Sequence, residues 1–188
     1  LKENDIKLVI HNAAVVGTDV VALNPSEASL TNVAGTHIIC RAAEKAGAAV
    51  SYMGTTVIYN TSLYQRMKIH EQSEFLPKTL YGSQKLASEY IVRSTCSNWN
   101  IIRPLFAYGG VGDMNSLIAM HVSDYCDAVA LACHKGLWNM DYNVAAENPH
   151  NTGAILEMMS EVSGRDLEEI VQWHPETDYL GNHRLISK

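Results

Sequence analysis

The sequence predicts an α/β fold built on a parallel sheet, and two observations support this. Short runs rich in β-branched residues alternate with longer stretches of helical periodicity. That order lays parallel strands side by side with helices as the crossovers. The 188 residues are also 47% hydrophobic and 18% charged, which suits a packed core and argues against a disordered chain.

Taken in order, Lys7–His11 reads as a short apolar strand followed by the small-residue turn Asn12-Ala13-Ala14. Ser26–Ala46 reads as a helix, because Ala34, Ile38, Ala42 and Ala46 recur at helical spacing, and Gly47 is placed to end it. Ala48–Met53 is the next strand, with the turn Gly54-Thr55-Thr56 beyond it and a loop to Pro77. Leu80–Cys96 is a second long helix, and Asn100–Arg103 is a strand closed by Pro104. The glycine-rich stretch Tyr108-Gly109-Gly110-Val111-Gly112 reads as a surface loop. Val122–Lys135 is a helix with Asp124 near its positive end, and Tyr142–Ala145 is a short strand. Asn151 or Thr152 caps a last helix that ends near Gly164.

Composition removes several function classes. A net charge of −6 without a Lys/Arg cluster argues against a nucleic-acid partner. No apolar run reaches the ~18 residues of a membrane span, and the first residues do not read as a signal peptide. Cys40, Cys96, Cys126 and Cys133 form no C-x-x-C pair and read as reduced thiols, which points to the cytoplasm. The eight histidines show no metal-binding spacing, so no metal site is expected.

One pair carries chemistry. Tyr81 and Lys85, four apart on the Leu80–Cys96 helix, project from one face. A Tyr hydroxyl titrates near ~10, and a neighbouring ammonium lowers that value, which suits the phenol to proton transfer at a sugar hydroxyl. Taken alone, Y-x-x-x-K is weak, since a solvated helix face produces it readily.

Its surroundings resemble the extended short-chain dehydrogenase/reductase family, the NAD-dependent epimerases and dehydratases of sugar nucleotides. Val9-Ile10-His11-Asn12-Ala13-Ala14 resembles the family's V-I-H-x-A-A segment, and Asn32-Val33-Ala34-Gly35-Thr36 its N-x-x-G-T element. Thr55-Thr56-Val57-Ile58-Tyr59 is similar to [S/T]-x-x-V-Y, and Arg103 to Gly109 to R-P-x-N-x-Y-G. His121-Val122-Ser123-Asp124 matches H-V-x-D. These elements stand in family order from about residue 5 to 145.

The resemblance implies a Rossmann-like doubly wound parallel sheet with remnants of a small C-terminal substrate-binding domain. It divides the chain into a partial dinucleotide-binding domain at 1–119 and a partial substrate-binding region with returning Rossmann elements at 120–188. Tyr81 would be the general acid/base, Lys85 would hold the nicotinamide ribose and depress the Tyr81 pKa, and Thr55 would orient the reacting oxygen. Asn12, Ala13 and Ala14 would pass beside an NAD cofactor, with NADP as the alternative. Asn32 would contact the cofactor or its water, against the competing account of a polar residue inside a helix. Leu105 would pack by the nicotinamide, against plain core. Thr55, Thr56, Val57, Phe106 and Arg184 would face the substrate, a small molecule of the nucleotide-sugar kind. Related enzymes pair through helices like Ser26–Ala46 and Leu80–Cys96, which implies a homodimer.

Departures from the pattern narrow the reaction. Dehydratases carry Asp-Glu where this chain has Thr56-Val57, and enzymes such as GDP-fucose synthase carry Cys at the place of Val57. Neither residue here moves a proton, which disfavours dehydration and ring epimerisation at C3 and C5. A 4-epimerase is expected, with a sugar or keto reductase as the alternative. Phe106 replaces the family's Asn and offers an apolar surface where an amide would bind substrate, while Arg184 could reach a diphosphate or simply face solvent.

No G-x-G-x-x-G or G-x-x-G-x-x-G follows an initial strand. The expectation is that the N-terminal glycine-turn portion, and a segment between Ala119 and Met120, are missing from the chain. A catalytically silent Rossmann-like scaffold is the alternative from another class.

Overall fold

A computed structural model describes residues 4–60, 69–104, 107–108, 120–145, 160–161, 164, 171–177 and 183–187. In chain order, β1 is Leu8–His11, α1 Thr18–Leu23, α2 Pro25–Ser29, α3 Thr36–Ala46 and β2 Ala49–Met53. They are followed by α4 at Leu80–Thr95, β3 at Trp99–Pro104, β4 at Ala107–Tyr108 and β5 at Met120–His121. The last elements are α5 at Val122–His134, β6 at Met140–Val144, β7 at Val171–Thr177 and β8 at His183–Ser187.

The chain forms two compact units, Leu1–Pro104 with Cys126–Val144, and Leu105–Tyr125 with Ala145–Lys188. The first unit holds a four-stranded sheet in the order β1-β2-β3-β6, and every pairing in it is parallel. This is the expected Rossmann-like α/β arrangement. The second unit contains the parallel pair β4–β5 and the antiparallel pair β7–β8, the latter with an irregularity between His174 and Thr177. The sequence reading did not anticipate β7 and β8. The glycine-rich stretch 109–112 and the expected cap at Asn151 or Thr152 lie outside the described residues.

Element ends follow local chemistry. Gly47 ends α3 in the left-handed region (φ 70°), and the Ala48 amide reaches back to the Ala43 carbonyl at 3.0 Å. Thr79 caps α4, its hydroxyl oxygen accepting from the Gly82 amide at 3.0 Å. Cys96 is already extended (φ −101°, ψ 132°), so α4 stops one residue earlier than the apolar pattern suggests. Pro104 is the last paired residue of β3 rather than a stop beyond it. A strand's end tolerates proline, which has no N–H to donate.

The expected Ser26–Ala46 helix is present, but its turn Leu30–Gly35 is wound in the wider π form. That turn buries Asn32 at 1% exposure. The core lies between the sheet and α3 and α4, and is built from Cys40, Ala43, Ala48, Val50, Tyr52, Val92, Cys96 and Ile101. Fully burying an aliphatic side chain such as Val50 or Ile101 contributes roughly 1.5–3 kcal/mol. All four cysteines are free thiols.

Candidate active site

The site is built where the amino end of α4 meets the turn after β2. Gly82 allows the approach: a Cβ there would lie 2.9 Å from the Val57 carbonyl oxygen and 3.0 Å from the Pro77 side chain. Only a residue without a side chain lets the helix sit this close. Thr55 holds the opposite wall as the cap of the short helix Thr56–Ile58, its hydroxyl accepting from the Val57 amide at 3.4 Å. The contact brings Thr55 and Tyr81 together, close enough for the Thr55 side chain to favour the ionised form of Tyr81.

Lys85, one turn further along α4, is 3% exposed. Its ammonium donates to the Met53 carbonyl at 2.5 Å and lies 4.2 Å from the centre of the Tyr52 ring. Burial lowers its pKa to about 8, against the attraction of Glu89.

One expectation is corrected here. Tyr81 is not depressed: burial pushes it above its ordinary value, and the Thr55 side chain offsets only part of that. Helical spacing puts Tyr81 and Lys85 on one face, but the lysine stem carries its charge towards Met53 and Tyr52 at the end of β2. In this geometry the phenol keeps its proton at neutral pH.

The turn after β1 borders the same region. Asn12 and Ala13 are exposed and Ala14 is half-buried. Asn32 is bound up inside the protein: its carbonyl accepts from the Val15 amide at 2.7 Å, and its amide donates to the Val15 carbonyl (3.0 Å) and to Gln84 (2.9 Å). It clips the 12–15 segment to α4. His11, at 4% exposure, bonds the Thr36 hydroxyl at 3.0 Å. That hydroxyl already donates to the Asn32 carbonyl, so the His11 Nε2 must be the donor. Burial, and then the Lys85 charge, lower the His11 pKa and keep the ring neutral.

Behind the turn lies a charged cluster that the sequence did not reveal. Arg103 and Glu89 are fully buried and paired through two hydrogen bonds of 2.9 and 2.7 Å. Arg103 also reaches Asp141 and the Tyr59 hydroxyl, each at 2.7 Å. Arg93 bonds Glu89 at 3.1 Å and Asp141 at 2.6 Å, so two cations balance two carboxylates. Gly54 packs onto this cluster, where a Cβ would meet the Arg103 side chain at 2.7 Å and a Glu89 oxygen at 2.8 Å. Both ends of the Thr55 turn, Gly54 and Tyr59, therefore rest on the Arg103–Glu89 pair. The signal in the sequence was an arginine inside an apolar strand, which needs a buried carboxylate.

Thr55, Tyr81 and Lys85 thus share one site at the carboxyl ends of β1 and β2, where parallel sheets of this kind bind ligands. Thr56 is buried and Val57 half-buried on the same turn. Leu105 and Phe106 lie outside the described residues, as does the side chain of Arg184, whose backbone pairs with His174 on β7. Among the described residues, no group of three or more His, Cys, Asp or Glu is placed to hold a metal ion. Among them too, no helix is long and apolar enough to cross a membrane.

Comparison with known proteins bears on the family and the fold. A family model described as the RmlD substrate binding domain matches residues 1–123. The dTDP-D-glucose 4,6-dehydratase of Mus musculus is 36% identical over 90 residues, covering 47% of this chain and 25% of that protein. A dTDP-4-dehydrorhamnose reductase structure from Clostridium acetobutylicum superimposes with a TM-score of 0.78 at 18% identity, covering 87% of this chain and 64% of that one. The UDP-glucose 4-epimerase of Thermus thermophilus, solved with NAD, gives 0.75 at 20% identity with the same coverage. These two likenesses speak for the fold. The chain spans a quarter of the length of its curated mouse relative.

Proposed function

The chain belongs to the RmlD substrate binding domain family, and from that premise we propose that it carries a site for NAD(P)-dependent hydride exchange at an oxygen-bearing carbon of a sugar nucleotide. One observation carries the reading: the Tyr81 hydroxyl lies close enough to Thr55 for that residue to favour its ionised form, with the buried Lys85 ammonium one turn along the same helix.

The residues present fit a nicotinamide dinucleotide. Exposed Asn12 and Ala13 with half-buried Ala14 leave room beside the end of β1, and Lys85 offers a buried donor for a ribose hydroxyl. When bound, the nicotinamide supplies or accepts the hydride. Tyr81 moves the proton at the substrate oxygen, and Thr55 holds that oxygen by a hydrogen bond. Asn32 serves by fixing the 12–15 segment. Leu105 would line the cofactor, and Thr56, Val57, Phe106 and Arg184 the sugar nucleotide. In this reading residues 1–119 hold the cofactor and 120–188 contribute substrate contacts.

Two outcomes share this chemistry. Returning the hydride to the opposite face of the same carbon makes a 4-epimerase, the outcome expected from the residues around Thr55. Delivering it once to a ketone makes a reductase. Thr56 and Val57 supply no acid or base for loss of water, unlike the pair that dehydratases resembling this chain carry.

Free thiols suit a reducing, cytoplasmic setting. Two copies are proposed to pair through the Leu30–Gly35 turn, α3 and α4, where Leu30, Ile38 and Tyr90 are 68%, 69% and 56% exposed. Leu30, with Val33, His37 and Ile91, lines a groove of roughly 600 Å3.

The test is the full-length protein incubated with NAD(P) or NAD(P)H and a panel of sugar nucleotides and their 4-keto forms. Isomerised sugar without net change in nicotinamide absorbance identifies the epimerase. Stoichiometric loss of NAD(P)H identifies the reductase. A 4-keto-6-deoxy product overturns the reading of Thr56 and Val57, and failure to bind any nicotinamide cofactor favours a silent scaffold.

A further inference from the structure

Tyr52 is the residue on which the Lys85 ammonium rests, and none of the motifs around the site includes it. It lies on β2 with its side chain in the core, 2% exposed. A buried aromatic in a strand is ordinarily packing and nothing more. Three features set this one apart. The Lys85 nitrogen is 4.2 Å from the ring centre, well within the distance at which a cation is held by a π face. The Tyr52 hydroxyl lies near Ser88, three residues beyond Lys85 on α4, and near Thr36 at the start of α3. The His11 ring packs against it at 5.4 Å, tilted by 57°.

The ring therefore sits with its hydroxyl towards two helices and its side against β1. A lysine stem has four flexible bonds, and a buried ammonium needs something to offset its lost hydration. The Met53 carbonyl supplies one such contact and the Tyr52 face another.

We propose that Tyr52 is a positioning residue whose ring face holds the Lys85 ammonium at the carboxyl end of β2. The inference deepens the reading of Lys85 as the cofactor's ribose-binding residue, and rests on it for its consequence in binding. Its geometric part stands independently of which sugar the protein handles. It is the π face, not the hydroxyl, that acts on the cation.

The experiment uses the full-length protein with Tyr52→Leu, which removes the ring, and Tyr52→Phe, which keeps it. Acylation of Lys85 by a small amine-reactive reagent is followed across pH by peptide mass spectrometry, and NADH binding by fluorescence. Losing the ring takes away an attraction felt only by the charged amine, so the Lys85 midpoint in Tyr52→Leu should fall by about one pH unit. NADH affinity should weaken about tenfold. Tyr52→Phe should stay within a few tenths of a pH unit and about twofold in affinity, a rescue that a general packing role would not produce.

If Tyr52→Leu does not fold, pentafluorophenylalanine at position 52 reverses the ring's quadrupole in nearly the same space, and the same downward shift is expected. A folded Tyr52→Leu with unchanged midpoint and affinity overturns the proposal. So does a Phe variant damaged as badly as the Leu variant, or equal midpoints for the Phe and fluorinated rings. Lys85→Met binding NADH as tightly as wild type would instead sink the cofactor role of Lys85, leaving the titration result to decide the contact itself.

Discussion

Replacing Arg103 with Met removes the centre of the buried charge cluster, and the structure sets the size of the effect. Arg103 is fully buried and gives four hydrogen bonds of 2.7–2.9 Å, two to Glu89 and one each to Asp141 and Tyr59. Met fills much of the same volume, so the loss is electrostatic rather than a cavity. It leaves the fully buried Glu89 with Arg93, at 3.1 Å, as its hydrogen-bonded cation, and with the more distant attraction of Lys85. Orphaning one member of a buried pair costs about 3–5 kcal/mol. That is a large share of the ~5–15 kcal/mol that holds a domain together. The double variant Arg103→Met with Glu89→Met removes both members and leaves Arg93 paired with Asp141, so it should lose much less than the single variant. Urea denaturation followed by far-UV circular dichroism measures both. A single variant within about 1 kcal/mol of wild type, or a double variant whose loss equals the sum of the two singles, would refute the view that this pair braces the turn.

Three further outcomes follow from the same geometry. Gly82→Ala puts a methyl group 2.9 Å from the Val57 carbonyl. It should cost about 1–3 kcal/mol in a thermal melt and slow hydride transfer more than it weakens cofactor binding, because it parts Tyr81 from Thr55. Lys85 titrates at about 8, below its ordinary value, so NAD(P) affinity should fall as pH rises through about 8 in wild type and lose this dependence in Lys85→Met. Over the same rise, from about 8 towards ~10.5, the unfolded chain binds the proton the native state has released, so stability should increase. Leu30→Asp with Ile38→Asp should convert a dimer to a monomer in sedimentation velocity, and a wild-type protein that is already monomeric would exclude pairing through this face.

What could be read from the sequence and what could not divide along physical lines. The strands around Val9, Val50 and Ile101 and the long helices declared themselves through periodicity, which reports local geometry and burial. Tyr81 and Lys85 could be placed on one face from their spacing alone. The direction taken by the lysine could not, because Met53 and Tyr52 come from a different strand; hence the expectation of a depressed Tyr81 failed. The Arg103–Glu89–Asp141 cluster was invisible for the same reason, drawing its members from β3, α4 and β6. For Asn32 the sequence left a cofactor contact and a polar residue inside a helix both open; its clipping of Val15 to α4 depends on a wide turn that no spacing rule signals. Gly82 and Gly54 look like ordinary breaks in a pattern until their neighbours are known.

Deuterium tracing asks most simply whether Tyr81, Thr55 and Lys85 form a hydride-exchange site. Full-length protein is supplied with nicotinamide cofactor deuterated at the transferable position and a keto-sugar nucleotide, and the product's mass is followed. Wild type should place one deuterium on the carbinol carbon, and Tyr81→Phe should do so at least ~100-fold more slowly while still binding the cofactor. Deuterium transfer at the wild-type rate in Tyr81→Phe, or none at all in wild type across the substrate panel, would contradict it.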